Sequence, residues 1–161
     1  MSEPVDYIAR TSEEYTRLGY DAYRWFRAED DPAVAPMRRP LHEQRIGLIA
    51  SGGIYRHGQV AFHWKDDTSF RRIRSDTATE DLRATHFAYD VEPARADPNV
   101  VFPIDTLRSL RDEGEIGGLA EEFFTFMGGI YSTRRVREEL IPSLLDAVAA
   151  SDIDLALLVP V

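Results

Sequence analysis

The sequence contains no cysteine in its 161 residues. Disulfide bonds, thiolate metal sites and thiol catalysis by this chain are therefore excluded. The chain also lacks a surplus of basic residues, since its formal net charge is −9. Phosphate binding relies on a basic surface, so this charge argues against a nucleic-acid partner. We expect small molecules or other protein subunits as partners instead.

Long apolar runs and a targeting signal are missing as well. No apolar stretch approaches the length of a membrane-spanning helix, and residues 1–6 lack the basic and apolar parts of a signal peptide. These absences predict a cytoplasmic protein with no membrane partner. Hydrophobic residues make up 43% of the chain, which is enough for one domain with a core of its own.

The spacing of apolar residues predicts alternating helices and strands. We expect an amphipathic helix over residues 4–20 and a proline-punctuated linker over 30–36, so that residues 1–43 form a helical and linker extension of a single domain. The predicted strands are residues 44–50, 70–74, 82–87, 123–127 and 154–161. Residues 54–67 show no convincing period and are predicted as a long loop. This order indicates a three-layer α/β domain with a mostly parallel sheet, resembling one half of a Rossmann or flavodoxin fold.

Two further helices are predicted in the second half of the chain. Residues 103–114 are expected to begin at Asp105 or Thr106 as the N-cap and to end at Gly114. Residues 134–150 form the longest helix signal, in which Pro142 predicts a kink or a break.

The apolar run at residues 154–161 follows that helix and is typical of an inner strand of a parallel sheet. In open α/β sheets, ligands bind just beyond the carboxyl ends of such strands. We therefore expect an active site at this edge.

Ser51-Gly52-Gly53 directly follows the strand predicted at residues 44–50. Its backbone amides could approach and hold an anion such as a carboxylate. The motif is neither the complete dinucleotide fingerprint nor a P-loop. A tight turn leaving a buried strand is the alternative interpretation, and a pattern this short favours the turn.

A histidine, a phenol and a carboxylate lie close together at His86, Tyr89 and Asp90. If this stretch is extended, His86 and Asp90 lie on the same face, and Asp90 could orient His86 as a general acid or base. In the alternative interpretation His86 is satisfied by a neighbouring backbone group, and Asp90 is a turn residue before Pro93.

His57 and His63 raise a metal hypothesis together with His86, because imidazoles and a carboxylate suit zinc or iron. Their spacing matches no standard signature, which favours solvated loop histidines and no metal.

One longer segment is far more specific than these short patterns. Residues 97–119, DPNVVFPIDTLRSLRDEGEIGGL, resemble a signature of the B-component selenoproteins of glycine, sarcosine, betaine and D-proline reductases. Residues 85–90 resemble the histidine-to-aspartate motif that those proteins carry just upstream, and residues 51–53 are similar to their first loop. The resemblance extends over most of residues 44–161.

This resemblance implies reductive cleavage of a carbon–nitrogen bond. In that family, a strand like residues 155–161 leads into a selenocysteine or cysteine, the nucleophile that attacks the substrate carbon and expels an amine. A pyruvoyl group on a partner subunit binds the substrate amine as an imine. The sequence stops at the residue before this nucleophile. We expect a selenocysteine codon, UGA, that is read as a stop, with a naturally short protein as the alternative.

The leading hypothesis is therefore a component of a reductase that acts on a small amino-acid-like substrate. The chain carries no cofactor of its own and is expected to be inactive alone. His86 would exchange a proton with the leaving amine, and Asp90 would orient His86. The substrate-binding residues would be Ser51, Gly52, Gly53 and Tyr89.

Two alternatives remain open. The chain could be a non-catalytic α/β binding or assembly subunit that buries its last strand against another chain or a second copy of itself. A metal-dependent enzyme that uses the three histidines is the weaker possibility.

Overall fold

The computed structural model describes residues 5–161, and the chain divides into two units, Met1–Pro36 and Met37–Val161. The first unit contains helix α1 (Tyr7–Arg17), which begins at Asp6, where the carboxylate accepts a hydrogen bond from Ala9 N. The predicted start of this helix at residue 4 lies outside the described residues. Its observed end comes three residues before the predicted one.

The second unit contains the sheets. Its strands are β1 (Arg45–Ala50), β2 (Ile54–Arg56), β3 (Phe70–Arg74), β4 (Leu82–Ala84), β5 (Gly118–Leu119), β6 (Glu122–Phe126) and β7 (Leu155–Val159). Its helices are α2 (Glu92–Ala96), α3 (Ile104–Asp112), α4 (Thr133–Arg135), a π-helical turn (Val136–Leu140) and α5 (Ile141–Ala149), with 3₁₀ turns at Leu41–Glu43, Thr79–Asp81 and Pro98–Val100. No helix in residues 5–161 is both long and apolar enough to cross a membrane.

Strand β1 is the centre of the main sheet. It pairs in parallel with β5, β6 and β7, whereas β3 pairs antiparallel with β6. Ile46 pairs with both Leu119 and Leu155, and Ile49 pairs with both Phe124 and Leu158. Strands β5 and β6 therefore lie on one side of β1 and β7 on the other. The predicted α/β fold with a mostly parallel sheet is confirmed.

One face of this sheet carries the main core. Ile46, Leu48 and Ala50 of β1 are buried there together with Phe102 and Ile104. The first three alternate along the strand, as expected for side chains that point to one face. This packing anchors the start of α3 beneath the sheet.

The predicted loop over residues 54–67 is wrong at its start. Residues 54–56 form β2, which pairs antiparallel with β4, with Ile54 opposite Ala84. A three-residue strand is too short to show a period, so only its distant partner reveals it. Strand β4 in turn ends at Ala84, and the strand predicted over residues 82–87 is too long by three residues.

Helix α3 ends as predicted but begins differently. Gly114 has a φ of +77°, a left-handed conformation that suits glycine after a helix. At the other end, Pro103 is the N-cap and contributes no side-chain hydrogen bond. The predicted capping by Asp105 or Thr106 is therefore wrong. Asp105 lies in the first turn, and its carboxylate binds the side chains of Thr79, Asn99 and Arg108.

The long helix signal over residues 134–150 corresponds to α4, the π turn and α5 in direct succession. Pro142 follows the π turn at the start of α5. Because proline has no N–H to donate and its ring crowds the preceding turn, the helix widens to π geometry before it. The helix is irregular near the predicted place, but its three parts are contiguous, so the predicted break into two helices is not observed.

Strand β7 differs most from its prediction. We expected a buried inner strand, but all of its residues except Val159 are exposed, and Leu158 keeps 66% of its accessible surface. Among the described residues β7 pairs with β1 alone, so it lies at an edge of the sheet. Its apolar composition predicted burial, but burial requires a neighbour on the second side.

Candidate functional site

Three chain segments meet at the carboxyl edge of the main sheet. Residues 51–53 follow β1, residues 127–129 follow β6, and residues 160–161 follow β7. Gly53 N donates to Phe126 O at 2.9 Å, and Gly128 N donates to Ser51 O at 2.8 Å. Val161 N donates to the Ser51 hydroxyl oxygen at 2.9 Å. The ends of three parallel strands are thus tied into one surface, at the edge where the sequence predicts an active site.

Residues 51–53 need two glycines for steric reasons. Gly53 has a φ of +69°, and a Cβ there would lie 2.0 Å from Thr85 O. A Cβ at Gly52 would lie 2.8 Å from the Cβ of Val101. The turn interpretation therefore accounts for both glycines without a ligand. The same close approach brings the segment that carries His86 onto the strand end.

The amides of this loop are mostly engaged already. Ser51 N donates to Val159 O at 3.1 Å, and Gly53 N donates to Phe126 O. Gly52 N is the loop amide for which the described residues show no hydrogen bond, and Gly52 is buried, so the loop offers less than the full cradle that the sequence suggested.

His86 lies beside this loop with one buried nitrogen. Its Nδ1 accepts a hydrogen bond from Ala88 N at 3.0 Å. Its Nε2 is buried and has no hydrogen-bond partner among the described residues. In the neutral ring the proton is therefore on Nε2, because Nδ1 acts as an acceptor. Burial lowers the pKa of His86 below its ordinary value of 6.5, so the neutral ring is the main form at pH 7.

Aromatic rings flank the imidazole on both sides. The Tyr89 ring centroid lies 4.6 Å from that of His86, and the Phe87 ring stacks against it at 5.9 Å. Tyr89 Oη donates to Gly52 O at 2.8 Å. Burial raises the pKa of Tyr89, so the phenol stays protonated and keeps this bond. Tyr89 thus joins the histidine segment to the loop after β1.

Asp90 does not orient His86 in this structure. The extended conformation ends at Ala84, so the assumption that put both side chains on one face is wrong. Asp90 is exposed, and its Oδ1 accepts a hydrogen bond from Glu92 N at 3.1 Å. It therefore occupies the turn before Pro93, and the described residues show no hydrogen bond between Asp90 and His86.

The structure does not bring His57, His63 and His86 together. Within residues 5–161, no three His, Asp or Glu side chains converge in a way that could hold a metal ion. The arginines of β3 form ion pairs with carboxylates at the start of β6: Arg72 binds Glu122 and Arg74 binds Glu121.

Sequence reasoning missed an apolar cavity of about 300 Å³ at the same edge. Its lining residues are Ile49, Ser51, Phe126, Leu158, Val159 and Pro160. Each lies at or near the carboxyl end of β6, β1 or β7. The order of parallel strands was the signal that could have found them, but that order is not readable from local patterns.

The family model of the glycine/sarcosine/betaine reductase selenoprotein B matches residues 26–158. This chain belongs to the glycine/sarcosine/betaine reductase selenoprotein B family. The resemblance stated from residues 97–119, 85–90 and 51–53 is thereby confirmed.

Curated relatives agree with this family. D-proline reductase subunit gamma of Acetoanaerobium sticklandii is 31% identical over 127 residues, which cover 79% of this chain and 52% of the relative. Betaine reductase complex component B subunit beta of Peptoclostridium acidaminophilum is 29% identical over 108 residues, 62% of this chain and 24% of the relative. Glycine reductase complex component B subunit gamma of Symbiobacterium thermophilum is 29% identical over 126 residues, 70% of this chain and 29% of the relative.

The chain thus spans about half or less of the length of these relatives. No solved structure matches it significantly.

Proposed function

We propose that this chain is a component of a reductase that cleaves a carbon–nitrogen bond in a small amino-acid-like substrate. Its family and the names of its relatives support this class of reaction. The structural observation that carries the proposal is the buried Nε2 of His86, which has no partner among the described residues and lies beside the carboxyl edge of parallel strands. We also propose that the domain has three layers, with helices on both faces of the main sheet. The helical segment that connects the parallel strands β6 and β7 supports this arrangement.

The substrate carboxylate would bind at Ser51, Gly52 and Gly53, with the Gly52 amide as its main donor. Tyr89 would position this loop through its bond to Gly52 O. His86 would exchange a proton with the leaving amine at Nε2 as the doubly protonated ring, so Nδ1 would have to give up its hydrogen bond from Ala88 N and carry the second proton. Burial makes the protonated ring a stronger acid, which favours donation to an amine. Asp90 would orient His86 only after the turn at residues 90–92 opens.

The nucleophile would come from outside these 161 residues, since the chain contains no cysteine. The family resemblance implies a selenocysteine or cysteine, which supplies the attack on the substrate carbon, and a pyruvoyl group on a partner subunit. The apolar cavity beside Ser51 supports such chemistry, because covering it with a partner subunit would exclude water from a reactive anion. Without these groups, the chain is expected to bind substrate but not to turn it over.

Binding can be tested by NMR, with the histidine ring signals of the chain followed during titration with proline, glycine, betaine and sarcosine. At least one compound is expected to shift the His86 signals and leave the exposed His42 unchanged. The Ser51→Val variant should weaken that shift. Absence of any His86 response to all four compounds would contradict the proposed site. Release of amine by the chain alone with a dithiol reductant would contradict its dependence on a partner.

A second candidate function is a non-catalytic assembly subunit. The exposed leucines of β7 favour it, because edge strands that face solvent permanently are usually short, charged or covered. The expected partner is another protein subunit or a second copy of the chain. Sedimentation analysis at micromolar concentration should show association, and Leu158→Glu should reduce it. A monodisperse monomer would exclude self-association.

A further inference from the structure

The loop between β2 and β3 is fastened to the chain that follows β6. Asp66 Oδ1 accepts hydrogen bonds from Tyr131 N at 2.8 Å and Ser132 N at 3.1 Å. Arg135 Nη1 donates to the Asp66 carbonyl oxygen at 2.6 Å. A single residue of the loop thus binds three groups at the start of the helical segment.

Asp66 holds an unusual backbone conformation. Its φ is +46°, and no other non-glycine residue among those described has a positive φ. Such a conformation costs free energy in a residue that has a Cβ. Aspartate tolerates it better than most residues, because its short side chain bonds locally. The three hydrogen bonds offset this cost, so the geometry depends on the contact with residues 131–135.

The same contact continues to the imidazole. Tyr131, which Asp66 holds through its main chain, has its ring centroid 6.1 Å from that of Phe87. Phe87 lies so close to Gly129 that a Cβ there would be 2.5 Å from Phe87 Cε1. On its other side Phe87 stacks against His86. These contacts form an unbroken series from Asp66 to the ring.

We propose that Asp66 is a positioning residue for His86: it holds Tyr131, and through Tyr131 it keeps Phe87 against the imidazole. The loop between β2 and β3 is thereby coupled to the candidate site without contributing a side chain to it. The positioning rests on these contacts alone, whereas its importance for a reaction rests on the proposed function.

A purely structural role for Asp66 makes a different prediction. Asp66 also binds the amides of residues 131 and 132 at the start of the helical segment, and losing such bonds lowers the stability of a helix. Ser132 provides a matched control, because its hydroxyl oxygen accepts a hydrogen bond from Arg135 N at the same helix start. Ser132→Ala removes a cap but keeps the bond between Asp66 and Tyr131. If Asp66 only stabilises the helix, Asp66→Ala and Ser132→Ala should affect the His86 ring equally. If Asp66 positions His86, only the Asp66 variant should change it.

The experiment is an NMR titration of the His86 ring with pH in the full chain. Wild type should titrate below 6.5, because the ring is desolvated, with Tyr89 as the titratable side chain in ring contact. In Asp66→Ala, the pKa of His86 should rise toward 6.5 and the ring-current shifts from Phe87 should shrink. Asp66→Asn should behave like wild type, since an amide oxygen can accept the same two hydrogen bonds. Ser132→Ala should also leave His86 unchanged.

If Asp66→Ala does not fold, Asp66→Gly provides the same comparison, because glycine adopts a positive φ without strain. An unchanged His86 titration in the alanine or glycine variant would overturn the proposal. An equal change in Ser132→Ala would also overturn it, since helix stability would then be the cause. No substrate is needed, so these results remain valid even if the binding test of the proposed function fails.

Discussion

Asp105 and His86 lie in two segments that resemble the family, and they differ in how completely their polar atoms are paired. The Asp105 carboxylate accepts hydrogen bonds from Thr79 Oγ1 at 2.7 Å, Asn99 Nδ2 at 3.0 Å and Arg108 Nη1 at 2.8 Å. These bonds, above all that from Thr79, lower the pKa of Asp105. His86 keeps one buried nitrogen with no partner among the described residues.

The difference separates residues that stabilise the fold from a residue that the proposed function would use. Arg108 extends the Asp105 network to a neighbouring turn, because it donates to Ser75 O at 2.9 Å and 2.7 Å and to Thr77 O at 2.6 Å. The polar residues of the most recognisable segment thus bind one another and the backbone. A paired network stabilises the fold, whereas an unpaired buried nitrogen costs free energy that a hydrogen bond to a ligand would recover. The family signature therefore identifies the scaffold more directly than the chemistry.

The largest expected effect is on the free energy of unfolding. It tests whether close backbone packing, rather than a network of side chains, holds the His86 segment in place. Gly53→Ala would place a Cβ 2.0 Å from Thr85 O at a φ of +69°. We expect a loss of at least about 3 kcal/mol in the free energy of unfolding, from backbone strain and overpacking together. Urea denaturation would measure it. Gly58→Ala is the control, because its φ is +90° but nothing lies within 4 Å of the added Cβ.

The Gly58→Ala control should lower the free energy of unfolding by only about 1 kcal/mol, the cost of the strained φ alone. Similar losses in both variants would show that the contact between Gly53 and Thr85 does not hold the His86 segment in place.

The next effect tests the network itself. Arg108→Met should lower the free energy of unfolding by about 2 kcal/mol, because two backbone carbonyls and Asp105 lose a charged donor. The Arg108 side chain is only 21% exposed, so water replaces these bonds poorly. Arg111→Met is the matched control, since Arg111 is 43% exposed and its one ion pair among residues 5–161 is with its neighbour Asp112. Chemical denaturation should find the control within about 0.5 kcal/mol of wild type. Equal losses in the two variants would show that the Asp105–Arg108 network contributes no more stability than an exposed ion pair.

A smaller effect on stability is expected at Tyr89, which joins the His86 segment to the loop after β1. Tyr89→Phe should cost about 1 kcal/mol, because Gly52 O loses its hydrogen bond from the phenol. It should also weaken any ligand response of His86, since the loop is then less well held. Tyr55→Phe is the control, as the Tyr55 ring packs against Phe62 and has no ring contact with His86 among the described residues. A stable Tyr89→Phe protein with an unchanged His86 response would show that Tyr89 only fills space.

The smallest effect concerns pH. The pKa of folded His86 lies below the 6.5 of the unfolded state, so the unfolded chain binds more protons between these two values. The free energy of unfolding should therefore fall as the pH drops from about 7.5 to about 5.5, a window above the ordinary range of carboxylates. His86→Gln should remove this part of the dependence. Identical pH profiles of the two proteins would contradict the burial of His86.

Local signals predicted the elements whose sequence patterns are local. Strands β1 and β6, the end of α3 at Gly114 and the irregular helix at Pro142 all follow from periodicity, glycine and proline. The pairing of β2 with β4 was missed, because its partners are distant in sequence. The face-sharing argument for His86 and Asp90 failed because the chain turns after Ala84 to pack against Gly53. That packing is a tertiary contact that no dipeptide pattern contains.

The candidate site was predicted in part. His86, Tyr89 and the glycines after β1 do come together, and their roles with substrate remain predictions. Phe87, Gly129 and Asp66 were missed, because their relation to His86 exists only after three separate loops meet.

The sequence by itself determined the family, the α/β class and the absence of cysteine chemistry within this chain, because each depends on residue identity or local order. Tertiary structure alone decided which polar groups find partners. The Asp105 carboxylate is saturated and His86 Nε2 is not, since hydrogen bonding depends on distances between segments far apart in the chain. It also decided that β7 lies at an edge, because burial of a strand depends on its neighbours and not on its composition.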